Sequence, residues 1–179
     1  VPTGLTLNSN GTLTIAPNTP AGTLTLTYKI CENLNSTNSG TATVTITVAA
    51  GVIDTIAHTA GPMACILGDT SASVFTNDTL NGVAVTASAI TLTGVTVPTG
   101  LTLTSNGTIT IAPNTPAGTL TLTYKIRENL NPTNCDTATV TITVAAAVID
   151  AIADTAGPIN GLLGATTASV LTNDTLNGV

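Results

Sequence analysis

The sequence predicts an all-β chain of tandem β-sandwich domains, and three observations predict it. Apolar residues alternate with threonine along most of the chain, the period of strands with one buried face. Threonine is the commonest residue, 41 of 179, and Asn, Gly and Pro interrupt the alternation at short intervals, as turns require. The chain also repeats itself: displaced by 96 residues it aligns without a gap, and 67 of the 83 overlapping positions are identical.

A period of that length is too long for a solenoid unit and matches one small domain. Linker signals surround AAGVID (49–54) and AAAVID (145–150), which places domain boundaries there. The expected organisation is the C-terminal half of one repeat in 1–48, a complete repeat in 49–146 and the N-terminal third of the next in 147–179. Two accounts of the partial repeats stand open. In one, the chain is a window on a longer array; in the other, the partial repeats complement each other between subunits and form a donated-strand polymer.

Within the complete repeat the elements follow in order. GVIDTIA (51–57), ASVFTND (72–78) and ASAITL (87–92) predict three short strands. GLTLTSNGTITIAP (100–113) predicts a hairpin turning at Ser105, Asn106 and Gly107, where glycine admits the positive φ of the turn. TLTLTYKI (119–126) puts Leu120, Leu122, Tyr124 and Ile126 on one face and threonines on the other. TATVTITV (137–144) does the same with Ala138, Val140, Ile142 and Val144, and RENLNPTNCD joins the two as a hairpin. Roughly seven or eight such strands with no convincing helix predict tandem immunoglobulin-like β-sandwich domains on a 96-residue repeat. Tyr28 and Tyr124 are the expected large core residues, with Phe75 beside the second and Leu171 in its place in the next copy.

Composition excludes several functions. Charged residues make up 7% of the chain and aromatics 2%, and mean hydropathy is +0.46. Yet the longest apolar run is six residues, Val144 to Ile149, far short of the roughly 18 a spanning helix needs. No membrane insertion is expected in this segment. A net charge of -6 with three basic residues leaves nothing to neutralise phosphate, so no nucleic-acid partner is expected. Val1 is followed by neither a basic nor an apolar leader, so any targeting signal is expected to lie outside this stretch.

Little in the sequence carries chemistry. The single histidine, His58, is replaced by Asp154 in the next copy, and no nucleophile, phosphate loop or metal-spaced cluster accompanies it. The expectation is no enzyme and no cofactor, with calcium the one alternative. Asp54, Asp78, Asp150 and Asp174 recur near the domain ends, where oxygen ligands could rigidify a junction. Asn-Asp followed by Thr is equally a turn former.

SVLTNDTLNG opening a domain, GLTLTSNGTITIAPNTPAGTLTLTYKI in its middle and NPTNCDTATVTITV closing it resemble the tandem repeats of very large Bacteroidetes surface proteins. These are Ig-like or cadherin-like adhesin repeats, including those of gliding-motility adhesins exported by the type IX secretion system. The resemblance covers essentially the whole chain. It implies an extracellular, cell-surface location and a role as filament or adhesin stalk, whose partners are neighbouring repeats and, in a fibre, other chains. It also implies O-glycan acceptors where Asp-Thr precedes an apolar residue: Thr55, Thr79, Thr137, Thr155 and Thr175.

KICENLNSTNSG (29–40) and KIRENLNPTNCD (125–136) are copies in which Cys31 faces Ser39 and Cys135 faces Arg127. The resemblance implies CENLNPTNC as the full form, a loop disulfide of which each copy keeps half. Either the bridge is dispensable, or Cys31, Cys135 or the unmatched Cys65 bonds between chains in an oxidising exterior. Two functions are therefore expected to compete. The leading one is a spacer or fibre-forming structural repeat; the other is an adhesive module whose repeats contact a polysaccharide or surface directly.

Overall fold

The computed structural model describes residues 1–64 and 68–177, and these are all-β apart from one short 3₁₀ turn. Two hairpins come first, β1 (Leu5–Leu7) with β2 (Leu13–Ile15) and β3 (Gly22–Cys31) with β4 (Ser39–Val48). Ten strands follow: β5 (Ile53–Asp54), β6 (His58–Ala64), β7 (Asp69–Thr70), β8 (Thr79–Leu80), β9 (Val83–Ala84), β10 (Ile90–Thr96), β11 (Leu101–Leu103), β12 (Ile109–Ile111), β13 (Gly118–Glu128) and β14 (Cys135–Ala145). The last pair is β15 (Ile149–Asp150) with β16 (Thr175–Leu176).

The middle ten strands make a sandwich. One layer is a four-stranded sheet in the order β10-β13-β14-β6, and opposite it lie β11-β12-β7 and β5-β8-β9. Its backbone is the β13–β14 hairpin, paired from Gly118 opposite Val144 to Arg127 opposite Cys135. Period-two alternation along that hairpin sends Leu122, Tyr124, Ile126 and Ile142 into the core, where none is exposed. Ile109 and Ile111 from β12, Leu101 from β11 and Val74 meet them from the other side. The predicted turn is present: β11 and β12 pair across it, with Gly107 at φ 86°.

One expected strand is absent, and one observed strand, β6, was not among those expected. ASVFTND is not a strand: Val74–Thr76 form a 3₁₀ turn, because the Ser73 hydroxyl accepts from the Phe75 amide and the Thr76 hydroxyl donates back to the Ser73 carbonyl. Serine at that place competes with extended pairing by supplying local hydrogen bonds. Conversely, the Gly61-Pro62 pair, a turn signal in sequence, lies inside β6, which pairs parallel to β14 at the sheet edge. Proline is tolerated there because an edge strand leaves one row of amides unpaired. Gly61, at φ 119°, is required by that pairing, since a Cβ would run into the Thr143 carbonyl oxygen. Gly61→Ala is expected to detach β6 and lower stability by about 1–3 kcal/mol, read from the shift in urea midpoint.

The flanking hairpins repeat this geometry without its cover. β3–β4 pairs Gly22 opposite Val48 and Cys31 opposite Ser39, the same register as β13–β14. Tyr28, expected in a core, is 37% exposed where Tyr124 is 0% exposed. Leu171 is exposed, whereas Phe75 is half-buried against the central core. The side chains and local strands are the same, and Leu5 and Leu26 are buried here too, but Tyr28 is not.

Candidate functional site

The carboxylate of Asp78, between the 3₁₀ turn and β8, is 0% exposed. Its Oδ1 accepts from the Ile56 amide at 2.8 Å and its Oδ2 from the Tyr124 hydroxyl at 2.7 Å. The NDT triplet that reads as a turn former therefore also carries an acid into the core, where it ties the N-terminal strands of the repeat to β13. Burial, then the hydrogen bond to Asp78 and that residue's charge, push the Tyr124 hydroxyl far above its usual range, so it remains a donor. His58 completes the cluster, with Nε2 3.8 Å from Asp78 Oδ1 and no hydrogen-bond partner among the described residues. Its ring lies 6.2 Å from that of Tyr124, tilted by 47°. A groove of about 510 Å³ runs past His58, Met63, Asp69 and Val74.

A second polar tie joins the same layers. The amide and hydroxyl of Thr55 both donate to Asp136 Oδ2, at 3.1 and 2.8 Å, and the Thr137 amide donates to Oδ1 at 2.8 Å. Partial burial opposes ionisation of Asp136, but the Thr55 hydroxyl, Thr55 amide and Thr137 amide outweigh it and hold the carboxyl below its ordinary range. A depressed folded-state pKa contributes stability above the unfolded value of about 3.9, and the contribution is lost as pH falls through the folded value. Asp136→Asn is therefore expected to flatten the loss of urea midpoint below about pH 4. An acid slope identical to the parent's would show that the tie contributes nothing.

The segments where the chain enters each repeat are the third place where polar groups gather. The Val52 amide donates to Asn81 Oδ1 at 2.9 Å and the Asn81 amide returns to the Val52 carbonyl at 2.8 Å. Asn134 Nδ2 donates to the Gly51 carbonyl at 2.7 Å and to the Glu128 carboxylate at 2.7 Å. From the preceding unit the Ala21 amide donates to Asn131 Oδ1 at 2.6 Å. Past β14 the same clamp recurs, with the Val148 amide on Asn177 Oδ1 and the Asn177 amide on the Val148 carbonyl, both at 2.7 Å.

No family model matches the sequence, and no curated protein matches it either. The chain is similar to solved structures at low identity. One is a SusE-like surface located polysaccharide binding protein from the Bacteroides thetaiotaomicron heparin utilisation locus, 16% identical, with a TM-score of 0.38 over 80% of this chain and 22% of that one. Another is protocadherin gamma B7 extracellular cadherin domains 1–4, 13% identical, with a TM-score of 0.41 over 85% of this chain and 42% of that one. An endo-fucoidan hydrolase from glycoside hydrolase family 107 is 19% identical, with a TM-score of 0.37 over 80% and 22%. This chain spans less than half the length of each. The all-β assignment rests on the strand pairing itself.

The structure does not bring the four recurring acidic residues together. Both oxygens of Asp78 are engaged, Asp54 pairs with Thr79 on β5 at the surface, and Asp174 repeats the Asp78 contact by accepting from the Ile152 amide at 2.8 Å. Asp150 is exposed on β15, and among the described residues no three His, Cys, Asp or Glu come together to hold a metal. Of the threonines in Asp-Thr triplets, Thr137 and Thr155 are exposed, Thr79 and Thr175 are half-buried on strands, and the Thr55 hydroxyl is committed to Asp136. Cys31 and Cys135 are exposed free thiols opposite Ser39 and Arg127, while Cys65 lies outside the described residues.

Sequence reasoning missed the Asp78–Tyr124 and Thr55–Asp136 ties. A signal existed for the first: Asp78 and Asp174 both sit in NDTLNG beside alternating apolar residues. No signal named their partners, 46 and 81 positions away.

Proposed function

We propose that this chain is a structural repeat of an extracellular surface filament or adhesin stalk, acting as a spacer or fibre-forming unit without catalytic chemistry. The observation that carries the reading is the near-identity of the copies, 67 of 83 positions at a spacing of 96 residues. A spacer needs length and uniform units and not a unique site. The clamps on Asn81 and Asn177 each lie within one repeat and fix the chain where it enters that repeat, and the Ala21 amide on Asn131 Oδ1 ties the first unit to the second. Neighbouring repeats are the first partners on this reading, and the location is the cell surface.

The test is the length of particles carrying increasing numbers of repeats, by small-angle scattering or micrographs. A rod gains roughly 33 Å per unit, taking strands of about ten residues; a compact or randomly coiled particle would overturn the reading. Asn131→Ala, which removes the acceptor of the Ala21 amide between units, should make the chain more flexible while leaving the central sandwich folded.

A second reading, adhesion by the repeats themselves, is favoured by one observation. The outer face of β13–β14 is a threonine array, with Thr119, Thr121 and Thr123 directly opposite Thr143, Thr141 and Thr139. β3–β4 repeats it with Thr23, Thr25 and Thr27 opposite Thr47, Thr45 and Thr43. Retention on an insoluble polysaccharide that is lost on replacing Thr121 and Thr141 by lysine would favour this reading over the first.

A further inference from the structure

We propose that the groove between the first unit and the middle repeat is a binding site for a neutral sugar unit of a polysaccharide. The ligand class rests on the adhesive reading above, and the contact moves from the threonine face to the junction. The groove has a volume of about 570 Å³, with Asn18 and Thr19 on one wall and Leu80, Asn81, Glu128 and Asn131 on the other. That size lies within the roughly 300–1,000 Å³ of small-molecule sites. The Ala21 amide on Asn131 Oδ1 holds the two walls together.

The polar groups of the groove are only half engaged. Glu128 is 6% exposed, and its Oε2 accepts from Asn134 Nδ2, whereas its Oε1 has no donor among the described residues. Asn81 and Asn131 each commit Oδ1 to a backbone amide, of Val52 and of Ala21. The Nδ2 of each is left without an acceptor among the described residues. Gly51 keeps the space between these groups open. A Cβ there would stand 2.9 Å from Leu80 Cδ1, 3.2 Å from Glu128 Oε2 and 3.3 Å from Asn81 Nδ2. The backbone of Gly51 is not left-handed, so the conformation does not require glycine, and the next copy carries Ala147 at this place.

This set of groups selects the ligand by elimination. No lysine, arginine or histidine lines the groove, so an anion would meet the Glu128 carboxylate unopposed. No second carboxylate lines it either, which leaves a divalent cation short of the oxygen ligands it needs. A lone acceptor beside two amide donors suits neighbouring hydroxyls, which donate to the first and accept from the others. Leu80 and Leu130 supply the apolar contact for the C–H face of a ring.

Affinity electrophoresis of the 179-residue chain through gels carrying xylan, mannan, a soluble β-glucan or, as the anionic comparison, alginate tests the site. Retardation by a neutral polymer and not by alginate is expected. Gly51→Ala and Glu128→Gln should each weaken it at least about tenfold. Gly51→Ala introduces the residue that the next copy already has, and an unchanged urea midpoint checks that it folds. No retardation by any neutral polymer, retardation as strong by alginate, or parental binding by Gly51→Ala would overturn the proposal. Retardation that survives Gly51→Ala and is lost on replacing Thr121 and Thr141 by lysine would overturn the groove and leave the adhesive reading standing. Rod length against repeat number is a separate measurement, so the spacer reading is judged independently.

Discussion

Tyr124→Ala is expected to lower folding stability by about 3–5 kcal/mol, whereas Tyr28→Ala in a dilute, monomeric chain should cost about 1 kcal/mol or less. The two tyrosines share the sequence LTLTYKI and the same hairpin register, opposite Ala138 and Ala42. Local structure around them is therefore equal. Tyr124 is packed into the core cluster and hydrogen-bonded to a buried acid, so its loss opens a cavity and removes the partner of Asp78. Tyr28 has water on one side already. Urea melts followed by circular dichroism separate the two, and equal costs in a monomer would show that position in the repeat, and not cover, decides the energetics.

Asp78→Ala is expected to cost about 2–5 kcal/mol, because it leaves the Ile56 amide and the Tyr124 hydroxyl without their acceptors. Tyr124→Phe should cost about 1–3 kcal/mol by leaving the carboxylate one donor short. The double variant should be less damaging than the sum of the two, since both remove one hydrogen bond. Strict additivity would mean that the 2.7 Å contact contributes nothing to the folded state. Asp78→Asn should recover part of the loss, because an amide oxygen can still accept from one of the two donors.

The expectations that rested on nearest-neighbour chemistry agree with the observed hairpins. β11–β12 turns at Gly107 because asparagine and glycine admit the backbone angles a tight turn needs, and β13–β14 keeps its register because a one-residue slip would turn Tyr124 and Ile142 to solvent. The expected strand over ASVFTND is absent because Ser73 makes bonds to its own neighbours that alternation does not reveal. β6 was not legible because its pairing partner is some 80 residues distant and its Gly-Pro pair carries the signature of a turn.

The candidate acids divide in the same way. Their recurrence in NDTLNG and VID was visible, but their environments were not, and Asp78 and Asp54 ended as a buried acceptor and a surface strand residue. Residues within a few positions of one another set the local part: strand period, turn positions, hairpin register and the absence of a basic surface. Tertiary structure alone decided which copies of those hairpins have a core, which acid is buried, and which edge β6 closes. Those outcomes depend on a second layer arriving from far along the chain, and identical side chains are buried at Tyr124 and wet at Tyr28 according to whether it arrives.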